Sequence, residues 1–289
     1  MNSRDIIKTI GEQEWLEPVD TALTAVAEST VNAAGQPVKN FLHGTWLGHP
    51  LHPAITDVPV GAWSAAAALD VYEALTGDET LAPGADACVK LGLVSAVGAA
   101  LSGMADWQHT SKNARRVGIV HALLNIAATG FYITSWLQRR NDDREAARVS
   151  GFFGFAIVMA SAWLGGTLIY DEKVGVDHAQ RGAKPKDWTP VLPENELREN
   201  EPHKASADGI EIFLVKKNGR VFAIGEKCAH MGGPLSKGKL EGDTIVCPWH
   251  GSRFSIRDGA VIDGPATMPQ PCFDVRVQNG QIEVRKHQS

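Results

Sequence analysis

The apolar positions divide the chain into two parts with different patterning. Between about residues 55 and 170, long apolar runs rich in Ala, Gly, Leu and Val follow one another. From 171 onward the apolar residues come in short alternating stretches interrupted by turn residues. VSGFFGFAIVMASAWLGGTLIY (Val149–Tyr170) has 22 residues without a formal charge, and Val117–Leu137 has 21, with His121 and Asn125 as its strong polar intrusions. A helix needs about 20 such residues to cross a bilayer core, so both runs predict membrane spans. A buried soluble bundle accounts poorly for two charge-free runs of that length. Two weaker segments precede them, Val58–Leu75 with Asp70 and Glu73 near its end and Ala87–Ala105 with Lys90 near its start. Small residues in all four suit close helix packing in lipid. The short connections GDETLAPGAD, WQHTSKNARR and QRRNDDREAARV predict an up-down-up-down bundle over residues 46–180. Residues 1–45, with loosely helical spacing of Ile6, Ile7, Ile10, Leu16, Leu23 and Val26, predict an amphipathic segment that lies on the membrane surface or caps the polar domain.

In the polar part, EIFLVKKNGRVFAIG reads as two strands joined at Asn218-Gly219, and FDVRVQNGQIEVR repeats the pattern with another Asn-Gly turn. TIVCPWHGSRFSIRDGAVIDGP adds short strands and Asp-Gly turns. The expected fold class is α+β and multidomain: a four-helix transmembrane bundle followed by an all-β domain over 187–289. The net charge of −5 argues against nucleic acid as a partner held by bulk positive charge. The N-terminal stretch MNSRDIIKTIGEQEW has no apolar signal-peptide core.

Four cysteines are present, and two fall in one motif with two histidines: Cys228-Ala229-His230 and, after 16 residues, Cys247-Pro248-Trp249-His250. Cys88 and Cys272 lie in regions of opposite character and read as free thiols, which favours a reducing compartment. Thiolates with imidazoles suit zinc or an iron–sulfur cluster. Zinc sites more usually show Cys-x-x-Cys or His-x-x-x-His spacing, whereas each half of this motif supplies one Cys and one His. That arrangement resembles the Rieske [2Fe–2S] family, in which two cysteines hold one iron and two histidines the other. The resemblance covers about Trp188 to Lys286 and implies Cys228, His230, Cys247 and His250 as cluster ligands. It further implies a small antiparallel β domain with two metal-bearing loops, Ser252 as a hydrogen-bond donor to a bridging sulfide, and Gly264–Pro271 as the proline-rich loop that shields the cluster. Gly233 and Trp249 stand where the family's cytochrome bc branch carries a disulfide, and Phe254 stands where that branch has a tyrosine. These departures resemble the ferredoxin-type branch and imply a lower potential.

Six histidines, His43, His49, His52, His109, His121 and His178, fall on the side of the predicted bundle that also carries the β domain. LGHPLHPAITDVPVGAW and WLGGTLIYDEKVGVDHA resemble a small bacterial four-helix membrane family without established chemistry. An ionisable residue such as His121 inside a span needs a partner, and facing helices hold haem or metal through imidazoles. The sequence leaves two readings open: a b-type haem or other metal at His49, His52, His109 and His121, with Asp57 and Asp106 orienting the rings, or a structural polar cluster.

The expected function is that of a membrane-anchored Rieske-type protein that carries single electrons between a cytosolic partner and a membrane redox centre, with the quinone pool as one acceptor. The expected site is the cell inner membrane, multi-pass, in contact with lipid, with the β domain in the cytoplasm. A redox or iron-status sensor in which the helices only anchor is the alternative. A Rieske oxygenase is disfavoured, since only 35 residues follow Phe254. Donor, acceptor and oligomeric state are not legible in the sequence.

Overall fold

The computed structural model describes residues 3–182 and 184–287. Eight α-helices are followed by ten strands among these residues: α1 (Ser3–Gly11), α2 (Leu16–Ala27), α3 (Gln36–His43), α4 (Leu51–Ile55), α5 (Asp57–Thr76), α6 (Ala82–Trp107), α7 (Lys112–Arg140) and α8 (Arg144–Tyr170), then β1 (Thr189–Pro193) to β10 (Gln281–Lys286). They form two compact units. One comprises the chain up to Gly35 with Leu51–Val174, the other Gln36–Pro50 with the chain from Gly175 on.

In the helical unit, α7 runs along α8 and α5 along α6, while α1 and α2 lie against α7. The expected amphipathic segment is therefore divided. Its first two helices bury Ile7 and Leu16 in the helical unit, and α3 belongs to the other unit. Small residues set the helix spacing: a Cβ on Gly92 of α6 would lie 2.1 Å from the indole nitrogen of Trp63, and one on Gly154 of α8 would lie 3.0 Å from the Tyr132 ring. Trp63 and Tyr132 stack at 4.2 Å between centroids. Among the described residues three helices are long and apolar enough to cross a membrane, spanning Glu79–Trp107, Asn113–Arg140 and Arg144–Tyr170. The expectation of four such helices is thus met by three. The difference lies in α5, whose Asp70 and Glu73 are buried among arginines at one end of the bundle. Arg139 binds Asp70 and, at 2.8 Å, Asp86; Arg144 and Arg148 bind Glu73 at 2.7 and 2.6 Å. Each buried carboxylate meets a guanidinium, as burial of charge demands.

In the second unit the strands form three antiparallel sheets, ordered β1-β10-β9, β2-β3-β4 and β5-β6-β7-β8. β2 is His203–Ala207, β3 Ile210–Lys217, β4 Arg220–Gly225, β5 Lys239–Glu241, β6 Thr244–Val246, β7 Arg253–Ser255, β8 Val261–Asp263 and β9 Phe273–Gln278. Both expected Asn-Gly hairpins are present. Asn218-Gly219 and Asn279-Gly280 each place two residues at positive φ (50° and 72°; 52° and 72°) between directly paired strand ends, as a tight I′ turn requires. The position of β3 between two cores explains its unbroken apolar run Ile212–Val215. Ile212 and Leu214 face one core with Phe273, Ile282 and Val284, whereas Phe213 and Val215 face another with Ile245 and Phe254. The second core is closed by Cys228 and Cys247, so the candidate ligands emerge from its edge.

Candidate metal centre

Cys228 follows β4 by three residues, and Cys247 directly follows β6. The two cysteines begin loops with one hydrogen-bond pattern. In the first, Cys228 N–H donates to Gly233 O (2.9 Å) and Gly232 N–H donates to Cys228 O (2.8 Å). In the second, Cys247 N–H donates to Ser252 O (2.8 Å) and Gly251 N–H to Cys247 O (3.1 Å). The fourth residue after each cysteine is a glycine at φ 76°, a left-handed conformation that costs glycine least. In each loop the two backbone N–H groups two and three residues after the cysteine point back at its sulfur: those of His230 and Met231 at Cys228, and those of Trp249 and His250 at Cys247. Such donors favour the thiolate that a metal requires.

The side chains are sorted by type. The two thiols are close enough to hydrogen bond, and the His230 and His250 rings meet edge to face at 5.0 Å between centroids. Their contact, with help from the loop N–H groups, draws the Cys247 thiol down to about 7, while the same contact and burial push Cys228 up. Burial lowers the His250 imidazole and so favours the neutral ring that can ligate. Thiol beside thiol and imidazole beside imidazole is the division that a cluster with one cysteine-held and one histidine-held iron needs. A tetrahedral zinc instead needs all four donors around one point. The residues present thus fit a [2Fe–2S] cluster. All four cysteines are free thiols, Cys88 and Cys272 included.

The loop Gly264–Pro271 is fastened to both cysteine loops. Ala266 N–H donates to the fully buried Ser252 Oγ at 3.0 Å, which leaves the serine proton available to another acceptor. The Gln270 amide, oriented to suit both partners, donates to Lys227 O (3.1 Å) and accepts from Ala229 N–H (2.7 Å). Gln270 was not singled out by the sequence, although it lies in the proline-rich stretch Gly264–Pro271. The paired glycines Gly232 and Gly251 were also missed, yet their equal offset from each cysteine was a visible signal.

The other candidate histidines do not form one group. His49 is exposed in the β unit, its Nδ1 3.1 Å from Pro50 O. In the helical unit His52 and His121 face each other edge to face at 6.2 Å between centroids. His52 Nδ1 lies 2.9 Å from Ala99 O; His121 Nδ1 lies 2.8 Å from Ser161 O, and its Nε2 lies 3.1 Å from Asn125 Nδ2. His109 also lies in the helical unit, in the turn after α6.

A small antiparallel β unit with two matched Cys–His loops defines an iron–sulfur protein of the two-cysteine, two-histidine class. The chain belongs to the Rieske [2Fe–2S] domain family, whose pattern matches residues 187–274, and residues 48–178 match the predicted membrane protein family DUF2231. The anthranilate 1,2-dioxygenase ferredoxin subunit of Burkholderia cepacia is 32% identical over 98 residues, 34% of this chain and 91% of that protein. Ferredoxin CarAc of Metapseudomonas resinovorans is 30% identical over 98 residues, 34% of this chain and 92% of that protein. Apoptosis-inducing factor 3 of Mus musculus is 39% identical over 75 residues, which are 26% of this chain and only 12% of that protein's length.

Gly233 offers a direct test of the geometry. A Cβ there would lie 2.9 Å from Cys247 Sγ and 3.1 Å from the Trp249 ring. Gly233→Ala is expected to spread the two loops and lower iron and sulfide content severalfold, with the β unit still folded by circular dichroism. Full occupancy in the variant would contradict this close approach.

Proposed function

We propose that the protein is a membrane-anchored Rieske-type electron carrier that passes single electrons between a soluble protein partner and an acceptor in the membrane. The observation that carries this reading is the two-and-two sorting of thiols and imidazoles on matched loops. Cys228 and Cys247 would hold one iron as thiolates, and His230 and His250 would hold the other through ring nitrogens. A bound [2Fe–2S] cluster supplies a one-electron store. The chain's own contribution is electrostatic. Backbone N–H groups at 230, 231, 249 and 250 face the cysteine sulfurs and stabilise their negative charge. Ser252, its oxygen already accepting from Ala266, keeps its proton for a sulfide. Phe254 has no hydroxyl to add, and no disulfide braces the loops, so the potential falls toward the low end of about −150 to +300 mV. Trp249, 57% exposed beside His250, offers an aromatic face to a redox partner. The similarity to the ferredoxin subunit of anthranilate 1,2-dioxygenase supports a partner of that kind.

Full-length protein purified in detergent is expected to show the rhombic EPR signal of a reduced Rieske centre with a low midpoint potential, and His250→Ala is expected to abolish it. Stoichiometric zinc without iron or sulfide would overturn the proposal.

On the membrane side, we infer that α5 completes a fourth span, its two buried carboxylates neutralised by Arg139, Arg144 and Arg148. His52 and His121, which face each other in one unit, are the candidate ligands of a haem or metal that relays electrons toward a quinone. A haem absorbance or bound metal lost in His121→Ala, with the Rieske signal kept, is the expected result; wild-type protein with neither fails it, and the pair is then hydrogen-bonded packing.

We infer that the β unit lies in the cytoplasm, on the ground that the Rieske family acquires its cluster in the cytosol. A C-terminal reporter active only after export should stay silent; its activity would reverse the orientation.

A further inference from the structure

Residues 36–50 lie outside both family matches except for their last three, yet they pack in the cluster unit. The side chain of Asn40, on α3, is held at both ends of its amide. Its Nδ2 donates to Asp263 Oδ1 at 2.9 Å, and its Oδ1 accepts from Gly264 N–H at 3.0 Å and from Gln36 Nε2 at 2.9 Å. Its backbone carbonyl accepts from Thr45 N–H (3.1 Å) and Thr45 Oγ1 (3.0 Å), which fixes the end of α3. Beside it the His43 ring is buried and lies 3.3 Å from where a Gly264 Cβ would stand.

Gly264 opens the loop that covers the cluster loops. Two residues later, Ala266 N–H is held by Ser252 Oγ, and Ser252 lies two residues beyond His250. Two hydrogen bonds joined by the backbone of Gly264–Ala266 therefore connect Asn40 to Ser252 in the second metal loop. We propose that Asn40 is a positioning residue for the cluster: it sets the head of the 264–271 loop, and through it the orientation of the Ser252 hydroxyl. This rests on the electron-carrier reading for its consequence, but not for the contact itself. The potential of the centre would then depend on the very segment that leads, within 15 residues, into the first long helix of the helical unit.

The test uses the full chain and exploits the two ends of the amide. Asn40→Ala removes all three side-chain bonds, to Asp263, Gly264 and Gln36. Asn40→Asp keeps an acceptor for Gly264 but sets a carboxylate against Asp263. The double variant Asn40→Asp with Asp263→Asn restores the pair with donor and acceptor exchanged. Amide hydrogen exchange at Gly264 is expected to rise about tenfold in Asn40→Ala, the loss of one hydrogen bond of ordinary net strength. The midpoint potential and EPR g-values should shift in both single variants and return toward wild type in the double variant. Wild-type exchange, potential and g-values in loaded, folded Asn40→Ala would overturn the proposal. If no protein in the series carries a cluster, the electron-carrier reading fails, and Gly264 exchange still decides whether Asn40 holds the loop.

Discussion

Two loops far apart in the sequence must deliver two thiols to one place and two imidazoles to another beside it, and the β unit is organised around that demand. No ordinary core could hold the donors unaided, because loops that carry buried thiolates and neutral imidazoles cannot be packed by apolar contact alone. The chain meets the demand by repetition. Each loop closes on itself through the same two backbone bonds and the same left-handed glycine. The loops differ only in where the histidine sits, two residues after the first cysteine and three after the second. The 264–271 segment then joins them, Gln270 to the first loop and Ala266 to the second.

The helical unit answers a different constraint. Carboxylates in a helix otherwise fit for lipid must be neutralised, and α5, α6, α7 and α8 supply three acids and three arginines at one end of the bundle. Arg139 is almost wholly buried with Asp70 as its partner. Such a pair contributes little net stability, but losing one member strands a charge at a cost of about 3–5 kcal/mol. Its effect is to fix which helix ends meet, while the small residues opposite Trp63 and Tyr132 fix how closely the helices approach.

Much of this was legible in the sequence because it depends on local chemistry. The Asn-Gly hairpins, the Cys–His pairs and the long apolar helices each follow from residues adjacent in the chain. What escaped depends on partners far away. Asp70 and Glu73 read as defects in a span until their arginines, about 70 residues on, are seen beside them. Residues 1–45 read as one segment, yet the chain divides at Gly35, since Ile7 and Ile10 of α1 find their apolar partners on α7 and α8 while Asn40 finds Asp263, 223 residues away. The histidines were grouped by predicted topology, which gives the side of a bundle and not the direction of a ring. The structure pairs His52 with His121 and leaves His49 in the other unit.

The joining of the two domains in one chain gains a physical meaning from the connecting segments. Each passage between the units is tied near the candidate ligands: the first through Asn40 to Gly264, at the head of the covering loop, the second to Ala229 in the first cysteine loop, whose carbonyl accepts from His178 N–H at 2.9 Å. Arg181, three residues later, reaches Pro269 O in the covering loop. The passages also touch each other, since a Cβ on Gly175 would lie 3.3 Å from Pro50. The Rieske family match begins only at residue 187, so these ties lie outside the domain that the family shares. They are ties within the cluster unit, made by the two segments through which the chain enters and leaves it, and they bind those segments to the loops around the candidate ligands.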